Sequence, residues 1–69
     1  MKEKTIAAFI GSEGEVVAMT KKGCYHYNRE LSEEQANKLL AKINKAQEIN
    51  IEHWKVEWRY NGVDLGQGN

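Results

Sequence analysis

Ser32 and Gln35 mark the point where the hydrophobic period of this chain changes. Ser32-Glu33-Glu34-Gln35 is a capping box, in which the serine hydroxyl and the glutamine amide each satisfy one of the other's free backbone donors. Beyond it the apolar residues recur at Ala36, Leu39, Leu40, Ile43 and Ala46, the spacing of one helix face. Leu31 and Ala36 are placed to staple the helix start. Glu33 and Glu34 stand at the positive end of the macrodipole, Lys42 and Lys45 at the negative end, and Glu34 and Lys38 are an i,i+4 pair.

Ahead of the box the chain reads as strands. Residues 5–10 are mostly apolar, and Gly11-Ser12-Glu13-Gly14 is a turn by composition. A second strand is expected over 15–20, and Lys21-Lys22-Gly23 fits a three-residue hairpin loop with glycine in the left-handed position. A third strand over 24–28 alternates with Tyr25 and Tyr27. With these loops Ile10 faces Glu15 and Thr20 faces Cys24. One side of the meander then collects Ile6, Ala8, Ile10, Val17, Met19, Tyr25 and Tyr27. The other collects Thr5, Ala7, Phe9, Val16, Ala18, Thr20, Cys24, His26 and Asn28.

After the helix, Ile49 and Ile51 read as anchors in a connection. Trp54, Val56, Trp58 and Tyr60 then alternate with Lys55, Glu57 and Arg59, a period of two. Asn61-Gly62 is a turn signal, with residues 63–65 as a short returning strand. The expected fold is α+β, β-β-β-α-β: an antiparallel meander with one amphipathic helix on its large-residue face and a Trp-rich last strand. A right-handed crossover places that strand beside the first, in the order 4-1-2-3. Residues 1–65 are read as one domain and 66–69 as a flexible tail.

Chains of 69 residues bury only roughly 60% of their unfolded surface, so they rely on a good core or a staple. Cys24 is the single cysteine, which excludes an internal disulfide and suits a reduced, cytoplasmic setting. The apolar run over 6–10 is too short for a signal-peptide core, and no stretch is long enough to span a bilayer.

Candidate chemistry is sparse. Cys24 and His26 lie two apart on one strand, with His53 as a third metal-ligand candidate, but the spacing matches no zinc module, and no metal or cofactor is expected. As a nucleophile and base, Cys24 and His26 lack an orienting carboxylate and an oxyanion hole, and the glycines do not cradle phosphate, so no enzyme activity or small-molecule substrate is expected. Formal charge is zero, which weighs against nucleic-acid coating, although Lys21, Lys22, Lys55 and Arg59 beside sheet aromatics would suit single-stranded nucleic acid. On the expected register Tyr25, Tyr27 and both tryptophans belong to the core. The open face instead centres on Phe9, Val16 and Ala18, flanked by His26, Lys55 and Arg59. An apolar centre with a polar rim is the anatomy of an interface.

The reading that follows is a non-catalytic protein-interaction module of inhibitor or adaptor type, docking a protein partner or a second copy through that face. Phage and mobile-element proteins of this size often work so. Nucleic-acid binding is the alternative.

Overall fold

The computed structural model describes residues 1–59. The expectations for Tyr60, the turn at 61–62, the strand at 63–65 and the tail lie outside the described residues. Elements follow in the order β1 (Lys2–Ile10), β2 (Val16–Thr20), β3 (Gly23–Tyr27), α1 (Glu33–Ala46), β4 (Glu48–Asn50), a 3₁₀ turn (Ile51–His53) and β5 (Trp54–Arg59). The architecture is the antiparallel meander with one helix packed on one face of a curled sheet and a Trp-bearing last strand.

The capping box closes as its chemistry requires. The Gln35 N–H donates to Ser32 Oγ at 3.1 Å, and the Ser32 N–H donates to Gln35 Oε1 at 3.0 Å. Glu34 and Lys38 pair at 3.6 Å, both exposed. Ala36 and Ile43 are buried, while Leu39 and Leu40 pack half-buried against the core. Ala46, the last residue of the apolar stripe, is exposed. Gln47 ends the helix in the left-handed region at φ 60°, donating to the Ile43 carbonyl at 2.6 Å.

That reversal turns residues 48–50 into a strand where a mere connection was expected. Glu48, Ile49 and Asn50 pair antiparallel with Lys4, Glu3 and Lys2. The Thr5 N–H donates to the Gln47 carbonyl at 3.0 Å, and the Ile51 N–H to the Met1 carbonyl at 2.9 Å, extending the seam at both ends. The 3₁₀ turn then carries the chain to the opposite edge, where β5 pairs antiparallel with β3 and Asn28 N–H donates to the His53 carbonyl at 3.1 Å. Strand order is therefore β4-β1-β2-β3-β5, and the expected 4-1-2-3 order is corrected. The place beside β1 is taken by β4, so the Trp-rich strand goes to the other edge. One continuous segment lines both edges, and this curls the sheet around the helix.

Both turns differ from expectation by one residue. Gly14 is left-handed at φ 84°, its N–H donates to the Gly11 carbonyl at 3.0 Å, and the Gly11 N–H donates to the Glu15 carbonyl at 2.7 Å. This is a three-residue loop with glycine last, so Ile10 faces Val16 and not Glu15. At the second turn the Lys22 N–H donates to the buried Thr20 hydroxyl at 3.0 Å, which fixes a two-residue loop, and Thr20 faces Gly23 and not Cys24. Each shift acts on β2. That strand is turned over relative to the expected register, while β3 and the part of β1 from Ala7 to Ile10 keep their expected phases.

The helix-side face therefore carries the row Ala8, Ala18, Tyr25 and Val56, beside the pairs Ile10–Val16 and Tyr27–Trp54. Val16 is 1% and Ala18 0% exposed, at the centre of a core completed by Tyr25, Ala36, Ile43, Ile49 and Trp54. Tyr27 meets Trp54 edge-on, ring centroids 5.3 Å apart. Tyr25, Tyr27 and Trp54 lie on the helix side as expected, whereas Val17 and Met19 do not.

Candidate interaction surface

Two cross-strand rows make the side of the sheet turned away from the helix. Phe9 faces Val17, Val17 faces His26, and His26 faces Lys55. Ala7 faces Met19, Met19 faces Cys24, and Cys24 faces Trp58. Along each row the centre is better covered than the ends. Val17 and Cys24 are buried, Met19 and His26 are half-buried, and Phe9 and Trp58 are each 45% exposed. The rows thus form a closely set apolar surface with aromatic side chains at opposite corners and Lys55 on its margin.

A bulge in β5 builds one of those corners. Register shifts between Cys24 and Tyr25, leaving Glu57 as the extra residue between Val56, opposite Tyr25, and Trp58, opposite Cys24. The bulge resets the alternation and brings Trp58 to the far side with Cys24, a correction to its expected place under the helix. It also brings the Glu57 carboxylate beside His26 Nδ1, a buried atom with no hydrogen-bond partner among the described residues. A second bulge, between Thr5 and Ala7 in β1, takes Ile6 out of its expected core position and leaves it 68% exposed.

The expected partner-binding residues are divided by this geometry. Phe9, His26 and Lys55 stand together on the far side in one row. Val16 and Ala18 are removed from it: the three-residue first turn points them into the core, and Val17 and Met19 take their places. Arg59 is exposed at the end of β5 opposite Gly23, on the other side of the alternation. It joins Lys21 and Lys22 of the hairpin turn at one end of the sheet. Lys22 is held there by Glu3 at 3.2 Å, while Lys55 lies at the other end of β5.

The chemistry of Cys24 points away from nucleophilic activation. Burial, and then the negative charge of Glu57, raise its thiol above the ordinary cysteine value. A reactive thiolate needs the opposite shift. His53 lies exposed in the 3₁₀ turn, and among the described residues no three acidic, histidine or cysteine side chains are arranged to hold a metal ion. A recess of about 400 Å³ opens where His26 and Lys55 meet the first hairpin turn, with Glu13 and Glu15 on one wall and Arg29 on another. Its walls carry both signs of charge.

No described helix is long and apolar enough to cross a membrane. Comparison with protein-family models, curated proteins and solved structures returned no match. The class defined by the fold is a small α+β domain with one covered and one uncovered sheet face. Nothing in the sequence pattern alone distinguishes Val17 and Met19 from Val16 and Ala18, since both pairs are apolar and alternate. Only the turn geometry separates them.

Proposed function

We propose that this chain is a non-catalytic protein-interaction module, of inhibitor or adaptor type, which docks a protein partner through the far face of its sheet. The observation that carries the proposal is the exposure of Phe9 at the end of a row whose next residue, Val17, is buried. Aromatic anchors over a tightly set apolar centre, with charged residues at the margin, are the anatomy of an interface hot spot. Docking is steric in this reading: a rigid face covers or bridges, and no bond is made or broken. A second copy of the chain is the simplest alternative occupant of the same face.

A nucleic-acid reading keeps one supporting observation. Trp58 and Phe9 share the far face with Lys55 and His26, an arrangement compatible with base stacking. Salt separates the two. A phosphate-contacting complex weakens steeply between low and moderate salt, and an apolar protein interface barely responds. Capture from native lysate, with and without nuclease, is expected to retain a nuclease-resistant, salt-tolerant protein. Lys21→Glu with Lys22→Glu is expected to leave that capture intact. Loss of all capture on nuclease treatment, or on reversal of the two lysines, would transfer the assignment to nucleic acid.

A further inference from the structure

Strand order alone hides an open edge inside the sheet. β4 pairs with β1 only over residues 2–4, and the bond from the Thr5 N–H to the Gln47 carbonyl closes that seam. From Ala7 to Ile10, β1 is paired with β2 on one side, and no described strand lies along its other side. The direction of the backbone groups there follows from the first turn. The Gly11 N–H donates to the Glu15 carbonyl, so Gly11 and Glu15 are a hydrogen-bonded pair. Antiparallel ladders alternate, which makes Phe9–Val17 and Ala7–Met19 hydrogen-bonded pairs as well. Ala8 and Ile10 therefore turn their N–H and C=O groups away from β2, where no other described residue bonds to them.

The two outer strands are guarded in a way that this stretch is not. β4 is three residues long and bears Glu48, paired with Lys2, and β5 carries Lys55, Glu57, Arg59 and a bulge. Short strands, charges and bulges are what keep sheet edges from joining. In β1 the bulge lies at Ile6, and Ala7 to Ile10 are regular in register, without charge and without proline. Phe9 and Ile10 are exposed along them.

We infer that this edge of β1 pairs with the same edge of a second copy, antiparallel across a two-fold axis at Phe9, so that one sheet runs through both chains. Unpaired N–H and C=O groups alternating along a strand are met by another strand. Three features make that strand a second copy. In this register Ala8 of each copy faces Ile10 of the other, and the outward groups of both residues are all satisfied. No like charges meet at the axis, because the run is neutral, and the chain has no net charge to hold copies apart. The ends also match: the second copy's β1 stops at Ile10 and turns away through its own first hairpin before it reaches the Gln47 carbonyl and β4, where a longer strand would collide. The two Phe9 side chains become direct cross-strand neighbours on the far side of the sheet. Such a seam is at the small end of interface sizes, so the dimer is concentration-dependent. It uses the backbone edge of β1 and does not rest on the far-face reading.

The test follows the full ¹⁵N-labelled chain over a range of concentrations by sedimentation and amide hydrogen exchange. The expected result is a monomer–dimer equilibrium in which exchange at Ala8 and Ile10 is fast in dilute solution and slows by about tenfold or more as dimer forms. Ala7 and Phe9, bonded to β2 in either state, are expected to be protected throughout. Ala8→Pro removes an N–H that the β1–β2 ladder does not use and is expected to leave a folded monomer. Ile10→Lys puts a charge into the edge at an exposed position, with the same expected loss, and decides the question should the proline variant not fold. Neither change touches a far-face side chain, so capture of a protein from lysate is expected to survive both, and the two readings fail separately. The inference is overturned by a monomer at every concentration, or by a dimer that persists in a folded edge variant. It is also overturned if Ala8 and Ile10 are already protected in dilute solution, which would mean that the chain covers its own edge. A dimer that perturbs Met19 and Trp58 while Ala8 and Ile10 stay fast would place the contact on the far face and overturn it as well.

Discussion

Gly23 shows how a single residue can be read correctly as special and for the wrong reason. The sequence suggests a turn glycine, yet the turn is made by Lys21 and Lys22, and Gly23 already belongs to β3. Its lack of a side chain serves β5: a Cβ there would overlap the Trp58 carbonyl oxygen and lie 2.8 Å from Arg59 Cα, on a backbone at φ 155°. Gly23→Ala should therefore lift β5 off its neighbour and cost about 2 kcal/mol or more, read as a lowered urea midpoint. Cys24 gives a pH prediction. Because its folded pKa is raised, the thiol's contribution to stability is fully present below the ordinary thiol value, about 8.5, and is lost as pH rises from there towards the raised one. Wild type should lose more stability than Cys24→Ala between pH 7 and pH 10. At pH 8 its thiol should react with a disulfide reagent more slowly than free cysteine. A fast reaction would show that the thiol is neither covered nor disfavoured as thiolate.

At the scale of elements, legibility followed the locality of the signal. The capping box and the apolar stripe of α1 are written in neighbouring residues; the box formed as read, and the stripe did so from Ala36 to Ile43, with Ala46 exposed. Ser32→Ala removes the acceptor for the Gln35 N–H and should cost about 1 kcal/mol in thermal or urea unfolding. Ile43→Ala, which empties a buried site beneath the same helix, should cost about 2–5 kcal/mol. The orientation of β2 was not legible, because Val16, Val17, Ala18 and Met19 give an apolar run with no phase of its own. Its orientation depends on whether Gly11 lies inside or outside the first loop, and on one side-chain hydrogen bond at Thr20. Because the two turn errors met at β2, they cancelled for its neighbours, and Tyr25 still pointed correctly. The bulges at Ile6 and Glu57 also escaped the pattern. They arise from pairing across strands distant in sequence, and they decide the exposure of Ile6 and Trp58.

The whole molecule is organised by the segment from Gln47 to Arg59, which lines one edge of the sheet, crosses, and lines the other. This closure lets one helix and one curled sheet enclose a core around Tyr25 and Trp54, and leaves the opposite side of the sheet uncovered. The uncovered side persists from sequence reading to structure although its centre changes, from Val16 and Ala18 to Val17 and Met19. Phe9 is common to both versions, and the docking assignment rests on it. The decisive measurement is capture from nuclease-treated native lysate by wild-type and Phe9→Asp protein, after circular dichroism and urea unfolding have shown the two to be equally folded. The account predicts matched folding and loss, in the variant, of a protein that the wild type retains. An unfolded Phe9→Asp chain would place Phe9 in the core, and a folded variant that keeps the same partner would remove the far face from the binding site.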